Sequence, residues 1–347
     1  MRVRIHRGDV DMAKKVRAIV VGAGRGRAQA GSYLALPEKY ELVGWVDLDT
    51  KRLNARLDEM GLPHSLGSAS YDDALKNSGC DLVAVSTWAR THEELVEKAL
   101  RAGKHVHVEK PYASTLAAAK RLQTLADELG CKVAVNQQWR YMPGQRTVRR
   151  LMTERAYGEP QTGHMVTYKA RGGEYPDSPQ SQLWQMTVHE VDSLLSMMNQ
   201  RVTEVYGHVY RPPKTTWTRE STVTAELSFA NGCHMTMVST SDARVHTNEL
   251  RVECERAALR YRNTRAFGGD EEIVVGKDNK VGFEAVPIDA TTVGRDDLDG
   301  HVAAGIADWI NGGPEPETSG RNNLNVLAVL DGLIEATGTG RPVKIDV

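Results

Sequence analysis

A glycine-rich loop after an apolar, β-branched run is the first segment whose residue types indicate chemistry. The run Val16–Val21 leads into the loop, and a helix-like stretch follows it. Glycines allow a tight turn and a close backbone approach to a pyrophosphate, whose charge a helix N-terminus stabilises. The spacing departs from G-x-G-x-x-G, because Arg27 stands where the third glycine belongs and a glycine comes one residue early. The loop predicts a dinucleotide site, with an ordinary tight turn as the alternative. Its predicted contacts are Gly22, Gly24, Arg25 and Gly26.

Two further strand ends are candidate cofactor contacts. Asp47 follows the run Val43–Val46, and a carboxylate at that place accepts hydrogen bonds from the adenosine ribose and repels a 2′-phosphate. This favours NAD over NADP, although Lys51 or Arg52 would tolerate a phosphate. Ser86 and Thr87 follow the apolar run Leu82–Val85 and are also predicted to contact the cofactor.

Lys110 is the strongest candidate for a reacting group. The turn Glu109–Pro111 follows the run His105–Val108, at the carboxyl end of a predicted parallel strand, where open α/β sheets bind ligands. Proline restricts the turn, so the lysine projects at a defined angle. An ammonium beside a hydroxyl stabilises a developing alkoxide and can pass a proton. A lysine in a surface salt bridge is the alternative.

The order of the elements predicts two domains. From Val16 to about Asn136, strand-like and helix-like runs alternate, which predicts a doubly wound parallel sheet of the Rossmann type. Later runs alternate apolar and polar residues, which is typical of antiparallel strands, and Asn231–Gly232 indicates a hairpin. The fold class is therefore α/β with a second α+β domain built on a large, mostly antiparallel open sheet. We predict an N-terminal extension at 1–15, a cofactor domain at 16–137, and a substrate-binding and oligomerisation domain at 138–347.

Composition excludes several other classes. The chain has 347 residues, 40% hydrophobic and 26% charged, with 44 basic and 45 acidic residues. The missing basic excess argues against nucleic-acid or membrane-surface partners, and no apolar run is long enough to span a bilayer. Four widely spaced cysteines and a polar N-terminus predict a cytoplasmic protein without disulfides, metal or signal peptide. Met12 resembles a natural start, so residues 1–11 are read as an upstream extension.

The segment Thr91–Pro111, THEELVEKALRAGKHVHVEKP, resembles the Gfo/Idh/MocA family of oxidoreductases, whose members carry an A-L-x-A-G-K-H-V-x-x-E-K-P stretch. Lesser matches follow at Asn136–Pro143, Gly158–Pro160, His189–Asp192 and Gly340–Val343. The resemblance implies that Lys110 is catalytic and also contacts the cofactor, and that Glu109 and His92 help to hold the cofactor. It also implies a homo-oligomer, a dimer or tetramer, that associates through the open sheet.

The same resemblance identifies a second catalytic element that departs from the family pattern. His189 matches the family histidine, but Gln185 stands where many members have an aspartate. Glutamine cannot exchange a proton at neutral pH, so proton transfer falls to His189 with Lys110 orienting the oxygen, or to Lys110 alone. Gln185, Asp192, Arg140 and Tyr141 are predicted to bind substrate, and Asp192 could instead orient His189 or solvate its helix.

We therefore expect an NAD-dependent dehydrogenase acting on a secondary alcohol of a sugar, cyclitol or related polyol. One alternative uses the same site for transient oxidation that drives elimination, hydrolysis or epimerisation without net redox change. The other alternative is a regulator that binds NAD or a sugar without turnover. The sequence leaves the substrate and the number of subunits open.

Overall fold

The structure, a computed structural model, describes residues 14–171, 173, 182–265, 269–277, 282–290 and 297–346. Residues 1–13, most of the predicted extension, lie outside the described residues. The described chain contains a six-stranded parallel sheet and a nine-stranded, mostly antiparallel sheet. The predicted fold class is confirmed.

The parallel sheet has the strand order β3-β2-β1-β4-β5-β6. The central strands β1 and β4 are almost entirely apolar because helices cover both faces of the sheet. The order reverses between β1 and β4, and ligands of open α/β sheets bind at such a switch point. The strands are β1 (Val16–Val21), β2 (Tyr40–Val46), β3 (Gly67–Ser68), β4 (Leu82–Val85), β5 (His105–Val108) and β6 (Val133–Val135).

Helices connect these strands, and local sequence determines where they begin and end. The Asp49 side chain accepts a hydrogen bond from the Arg52 amide and caps α2. Gly103, with φ of +70°, directly follows the C-cap of α4, where left-handed backbone favours glycine. The helices are α1 (Gly26–Leu34), α2 (Thr50–Glu59), α3 (Tyr71–Asn77), α4 (His92–Arg101) and α5 (Leu116–Glu128).

The second sheet has the order β14-β13-β12-β11-β7-β10-β9-β8-β15. β9 and β10 form the hairpin predicted at Asn231–Gly232, whereas β10 and β7 pair in parallel. Strands β12 and β13 were not predicted, because arginine and glutamate side chains interrupt their apolar pattern. The strands are β7 (Pro160–Ala170), β8 (Val202–Tyr210), β9 (Thr222–Phe229), β10 (His234–Thr240), β11 (Asp242–Cys254), β12 (Ala257–Asn263), β13 (Glu271–Lys277), β14 (Glu284–Ala285) and β15 (Val343–Lys344).

Helices of the later part of the chain join the two sheets. α9 packs on β8 and also against α5, and α8 packs against α1 beside the parallel sheet. Their apolar residues enter the same buried clusters as the strands of the parallel sheet. The helices are α6 (Pro143–Thr153), α7 (Val188–Met198), α8 (Leu298–Ile310) and α9 (Gly320–Thr339), and short irregular turns lie at Gln138–Tyr141 and Leu183–Thr187.

Three properties bear on the remaining sequence predictions. The predicted boundary at residues 137/138 falls between β6 and α6 and stays a prediction. In the described part of the chain, no helix combines the length and apolarity needed to cross a membrane. The same residues hold no group of three or more metal-ligating side chains.

Candidate active site

The glycine loop lies at the switch point between β1 and β4 and fits a dinucleotide. Gly22 has a φ of +105°, and a Cβ atom there would lie 2.5 Å from the Ser86 carbonyl oxygen. A Cβ on Gly26 would lie 2.7 Å from Val20 Cγ1, so this glycine permits close packing of α1 on β1 despite its early position. A Cβ on Gly24 would meet nothing within 4 Å. The middle of the loop therefore leaves room for a pyrophosphate at the start of α1.

Asp47 ends β2 beside this loop, with its carboxylate nearly buried. Oδ2 accepts a hydrogen bond from the Ala23 amide at 2.6 Å, and Arg52 Nη2 donates to Oδ1 at 2.9 Å. Burial opposes the charge, but the hydrogen bonds from Arg52 and the backbone keep the pKa of Asp47 below its ordinary value. The residue is thus a fixed anion near the expected ribose, and Arg52 partly offsets its charge.

Ser86, Thr87 and His92 connect the end of β4 to the lysine turn. The His92 ring lies between two carbonyl oxygens, with Nδ1 2.8 Å from Pro111 O and Nε2 3.2 Å from Thr87 O. Burial lowers the pKa of His92, so the ring is neutral and donates to one of them. His92 therefore links the lysine turn to the residues that follow β4. Direct contact between His92 and the cofactor stays a prediction.

Arg25 and Glu109 form part of a cluster that sequence reasoning did not find. Arg25 Nε donates to Glu109 Oε1 at 2.9 Å, and its Nη2 donates to Asp299 Oδ1 at 2.6 Å. Asn136 Nδ2 donates to the same two carboxylates at 2.7 and 2.8 Å. The cluster joins the glycine loop, the lysine turn and α8. Asp299 lies 274 residues from Arg25, and no local pattern signals that contact.

Lys110 projects from the end of β5 toward α7 and the turn before it. Its Nζ donates a 2.6 Å hydrogen bond to the backbone carbonyl of Gln185. Burial lowers the pKa of Lys110 to about 8, with Glu109 opposing the shift and Lys169 adding to it. Gln185 thus contacts Lys110 through its backbone carbonyl, and this contact does not depend on the type of side chain at position 185.

His189 lies at the start of α7, stacked on an aromatic ring. Its imidazole and the Trp139 indole have centroids 4.2 Å apart and planes 11° apart. Burial lowers the pKa of His189 well below its ordinary value, and the positive charges of Lys110 and Lys169 lower it further. Among the residues that the structure describes, Nδ1 has no hydrogen-bond partner. This buried, neutral ring retains an unsatisfied polar atom next to the lysine.

A second buried ion pair stands beside this stack. Lys169 on β7 bonds the Glu190 carboxylate, and both side chains are almost fully buried. Lys169 Nζ also lies 5.3 Å from the Trp139 ring centroid. Sequence reasoning missed the pair, although Lys169 continues the buried face of β7 occupied by Met165 and Thr167. A lysine at a position of β7 that the alternating pattern predicts to be buried was the sequence signal for this ion pair.

Arg140, Asp192 and Tyr141 contact other protein groups. Arg140 Nε donates to Asp192 Oδ2 at 3.0 Å, and both side chains are buried. Asp192 therefore pairs with Arg140 rather than orienting His189 or solvating its helix. The Tyr141 ring packs against His301, with centroids 4.4 Å apart. These contacts account for the three residues as supports of the site, and substrate contact by them stays a prediction.

Comparison with known proteins identifies the family of the chain. Residues 16–137 match the family model described as "Oxidoreductase family, NAD-binding Rossmann fold", and residues 145–260 match the model of the GFO/IDH/MocA C-terminal domain. The D-apiose dehydrogenase of Paraburkholderia graminis is 25% identical over 321 residues, 88% of this chain and 83% of that protein. The 1,5-anhydro-D-fructose reductase of Ensifer adhaerens is 23% identical over 316 residues, 88% of this chain and 91% of that protein.

A solved structure shares the whole fold. The aldose-aldose oxidoreductase of Caulobacter crescentus superposes with a TM-score of 0.82 at 19% identity, over 95% of this chain and 100% of that one. At that identity the likeness concerns the fold alone. The first family model spans the parallel sheet, with the glycine loop, Asp47 and the lysine turn inside it, and the second contains strands β7 to β11 of the other sheet. The chain therefore belongs to the Gfo/Idh/MocA family and is an NAD-dependent oxidoreductase.

Proposed function

We propose that the enzyme is a dehydrogenase acting on a secondary alcohol of a sugar, cyclitol or related polyol. The observation that carries the proposal is Lys110, a largely buried amine with a pKa near 8 at the carboxyl edge of the parallel sheet. Its neighbour His189 is neutral and has a free ring nitrogen among the described residues. The names of the two curated relatives, an apiose dehydrogenase and an anhydrofructose reductase, agree with a sugar substrate.

The geometry of the switch point supports the cofactor contacts that we propose. The glycine loop and the start of α1 would hold the pyrophosphate, and Asp47 would hold the adenosine ribose. Ser86 and Thr87, at the end of β4, would contact the nicotinamide half. NAD supplies a two-electron acceptor for hydride at this edge.

The protein groups then move a proton and hold the oxygen. The substrate C–H bond breaks and its electron pair leaves as hydride, while the C–O bond becomes a carbonyl. The hydroxyl proton passes to the Lys110 amine, and the His189 ring nitrogen positions the same hydroxyl by a hydrogen bond. The Gln185 carbonyl keeps the Lys110 amine in place by accepting its hydrogen bond.

The sequence left two alternatives for proton transfer, by His189 with Lys110 orienting the oxygen or by Lys110 alone. We adopt the second alternative. Proton transfer is efficient when the pKa of the group lies near the working pH, and the pKa of Lys110 near 8 meets that condition. The pKa of His189 lies well below its ordinary value, which makes the ring a weak base. We therefore assign the proton to Lys110 rather than to His189.

Lys110→Met is the test of this function. We expect it to lower the rate of NAD reduction on a sugar and polyol panel by about 10²–10⁴, while NADH binding is unchanged. Absorbance at 340 nm measures turnover, and fluorescence titration measures NADH affinity. Lys120→Met, which removes an exposed lysine on α5, is the control and keeps native activity.

Two outcomes would contradict the proposal. Near-native turnover by Lys110→Met would show that Lys110 does not take part in the reaction. Product formation by the native enzyme without net NADH would replace net dehydrogenation with transient oxidation.

The remaining sequence predictions belong to the same proposal. We propose residues 16–137 as the cofactor domain, residues 138–347 as the substrate and oligomerisation domain, and the open sheet as the contact between subunits. A cytoplasmic location is supported by free thiols at Cys80, Cys131, Cys233 and Cys254. The near balance of acidic and basic residues supports a small-molecule partner rather than a nucleic acid or a membrane.

A further inference from the structure

A buried ion pair beside the site has no part in the proton transfer proposed above. Lys169 on β7 bonds the carboxylate of Glu190 on α7, and the two side chains are 5% and 1% exposed. Burying two charges is costly, and apolar residues of similar volume often give equal or greater stability. A role in the site therefore explains the pair better than the stability of the fold does.

The carboxylate of Glu190 has a fixed place in the interior. Ser239 Oγ on β10 donates a long, 3.5 Å hydrogen bond to Glu190 Oε2, and Gln182 Nε2 donates to Ser239 Oγ at 2.8 Å. Buried hydrogen-bonded networks of this kind hold their members in one arrangement. Lys169 is therefore anchored where its ammonium meets the carboxylate.

The ion pair reaches His189 by two routes. Glu190 directly follows His189 in the first turn of α7, so its bond to Lys169 holds that turn against β7. The Lys169 ammonium also lies 5.3 Å from the centroid of the Trp139 ring, within cation–π distance. The same indole stacks on the His189 imidazole, with centroids 4.2 Å apart and planes 11° apart. Lys169 thus contacts both the turn that carries the imidazole and the ring on which the imidazole packs.

We propose that Lys169 is a positioning residue, which uses its carboxylate and indole neighbours to hold the His189 ring where its nitrogen meets the substrate hydroxyl. In this role Lys169 acts through its neighbours and touches neither the hydroxyl nor the cofactor. The inference rests on the proposed function, because the hydroxyl belongs to that reaction. Position matters here, since a displacement of about 1 Å at a reacting group can lower a rate by about 10².

The charge of Lys169 acts on the same imidazole. Burial lowers the pKa of Lys169, while the charge and hydrogen bond of Glu190 raise it and Arg171 lowers it further. Burial lowers the pKa of His189 most, and three positive charges lower it further, those of Lys110, Lys169 and Arg25. Lys169 thus helps to keep the ring neutral, in the form that the proposed function requires.

Lys110 responds to the same charge. Burial lowers the pKa of Lys110 to about 8, and four charges modify the shift in decreasing order: Glu109 raises the pKa, Lys169 lowers it, Glu190 raises it and Arg25 lowers it. Loss of Lys169 should therefore raise the pH at which Lys110 gives up its proton. The direction holds whether Glu190 then stays ionised or takes up a proton, because its effect on Lys110 is smaller than that of Lys169.

Lys169→Met tests the inference in the full-length enzyme, because methionine keeps an unbranched side chain without the charge. On a substrate found in the sugar and polyol panel, we expect kcat to fall about tenfold and KM to change less than about twofold, since positioning acts on the reacting step. The rise of kcat/KM with pH should move upward by about 0.5 pH unit or more. Lys169→Arg keeps the charge and both contacts and should retain most of kcat. Lys120→Met, at an exposed lysine, is the matched control.

A double variant separates positioning from the effect of an unpaired buried charge. Lys169→Met/Glu190→Gln leaves neither member of the pair charged, so the fold should tolerate the loss. We expect the same fall in kcat and a smaller shift of the pH profile. Native kcat in the double variant would assign the effect to the unpaired Glu190 and overturn the inference.

NMR of the NADH-bound protein with isotope-labelled histidine gives a readout that does not depend on turnover. The resonances of His189 are identified by their loss in His189→Asn. The ring current of Trp139 shifts the ring protons of a stacked imidazole upfield. We expect this upfield shift to shrink in Lys169→Met, to return in Lys169→Arg and to be unchanged in Lys120→Met.

The outcomes distinguish this inference from the proposed function. If the native enzyme yields NADH and Lys169→Met changes neither kcat nor the His189 resonances, the dehydrogenase function stands and the positioning role is wrong. If no ligand yields NADH but the His189 resonances depend on Lys169, the positioning of the ring stands and the dehydrogenase function fails. A fall in kcat with unchanged His189 resonances also overturns the inference, because the effect then does not pass through the ring.

Direct contact between Lys169 and the substrate is the competing role. Lys169 and Trp139 border a cavity of about 270 Å³, so a ligand placed there would touch the lysine. A rise in KM for Lys169→Met, at native kcat and with an unchanged pH profile, would show that role and overturn the inference.

Discussion

The shifted pKa of Lys110 comes mainly from its surroundings. Burial disfavours the ammonium form, and the neighbouring Lys169 disfavours it further, while Glu109 limits the shift. The pKa near 8 leaves the ammonium and the amine both accessible close to neutral pH. Alcohol oxidation needs the neutral amine, which accepts the proton, and carbonyl reduction needs the ammonium, which returns it.

This assignment predicts the pH dependence of the reaction. We expect kcat/KM for oxidation to rise as the pH rises through about 8, the value at which half of Lys110 loses its proton. The rate of the reverse reduction should fall over the same interval. Steady-state kinetics from pH 6 to 10, in both directions and at constant ionic strength, measure the two profiles.

Variants separate the two candidate groups. Lys110→Arg keeps a permanent charge, so its residual oxidation should lack the rise near pH 8. His189→Asn should slow the reaction and retain the rise. An inflection near pH 8 that persists in Lys110→Arg and disappears in His189→Asn would show that His189, and not Lys110, accepts the proton.

At the scale of elements, the sequence predicts what depends on local pattern. Apolar runs and glycine stops placed β1, β4, β5 and the hairpin of β9 and β10 as the structure has them. The parts of the site that were missed depend on contacts between distant segments. Asp299 on α8 reaches Arg25, and Lys169 on β7 meets Glu190 on α7. A single sequence gives the spacing along each element but not the neighbour that folding brings to it.

The glycine loop shows how one element serves both packing and binding. We expect Gly26→Ala to destabilise the cofactor-free protein by about 1–3 kcal/mol, because its Cβ would lie 2.7 Å from Val20 Cγ1 and separate α1 from β1. The gain in helix propensity, up to about 1 kcal/mol, offsets part of that cost. Urea unfolding without cofactor measures the difference.

Gly24→Ala is the matched comparison in the same loop. A Cβ there meets nothing within 4 Å, so the stability of the cofactor-free protein should change by less than about 0.5 kcal/mol. NADH affinity should nevertheless fall about tenfold, because the methyl group occupies the path of the pyrophosphate. Native NADH affinity in Gly24→Ala would place the pyrophosphate elsewhere.

At the scale of the whole molecule, the two sheets divide the work. The parallel sheet carries the cofactor edge, and α7 and β7 bring the second half of the site to it. One face of the second sheet packs on helices, which leaves alternate side chains of β7 and β10 on the other face. Val166 and Val238, which are paired in register, are two of these. The same face carries the polar side chains of His164, Thr236 and Thr240, so the two valines form a small apolar centre in a mixed face. This is the face that we propose as the contact with a second copy of the chain.

Val238→Arg tests that contact. In a two-fold interface the same residue recurs on both subunits, so the substitution places like charges in the buried face and should yield monomers. Light scattering after size-exclusion chromatography measures the mass, with Leu129→Arg, at an exposed leucine beyond α5, as the control. NADH affinity should be retained, because the cofactor edge belongs to the other sheet. A native protein that is already monomeric would show that the chain does not associate. An oligomer that survives Val238→Arg would show that the subunits contact each other through another surface.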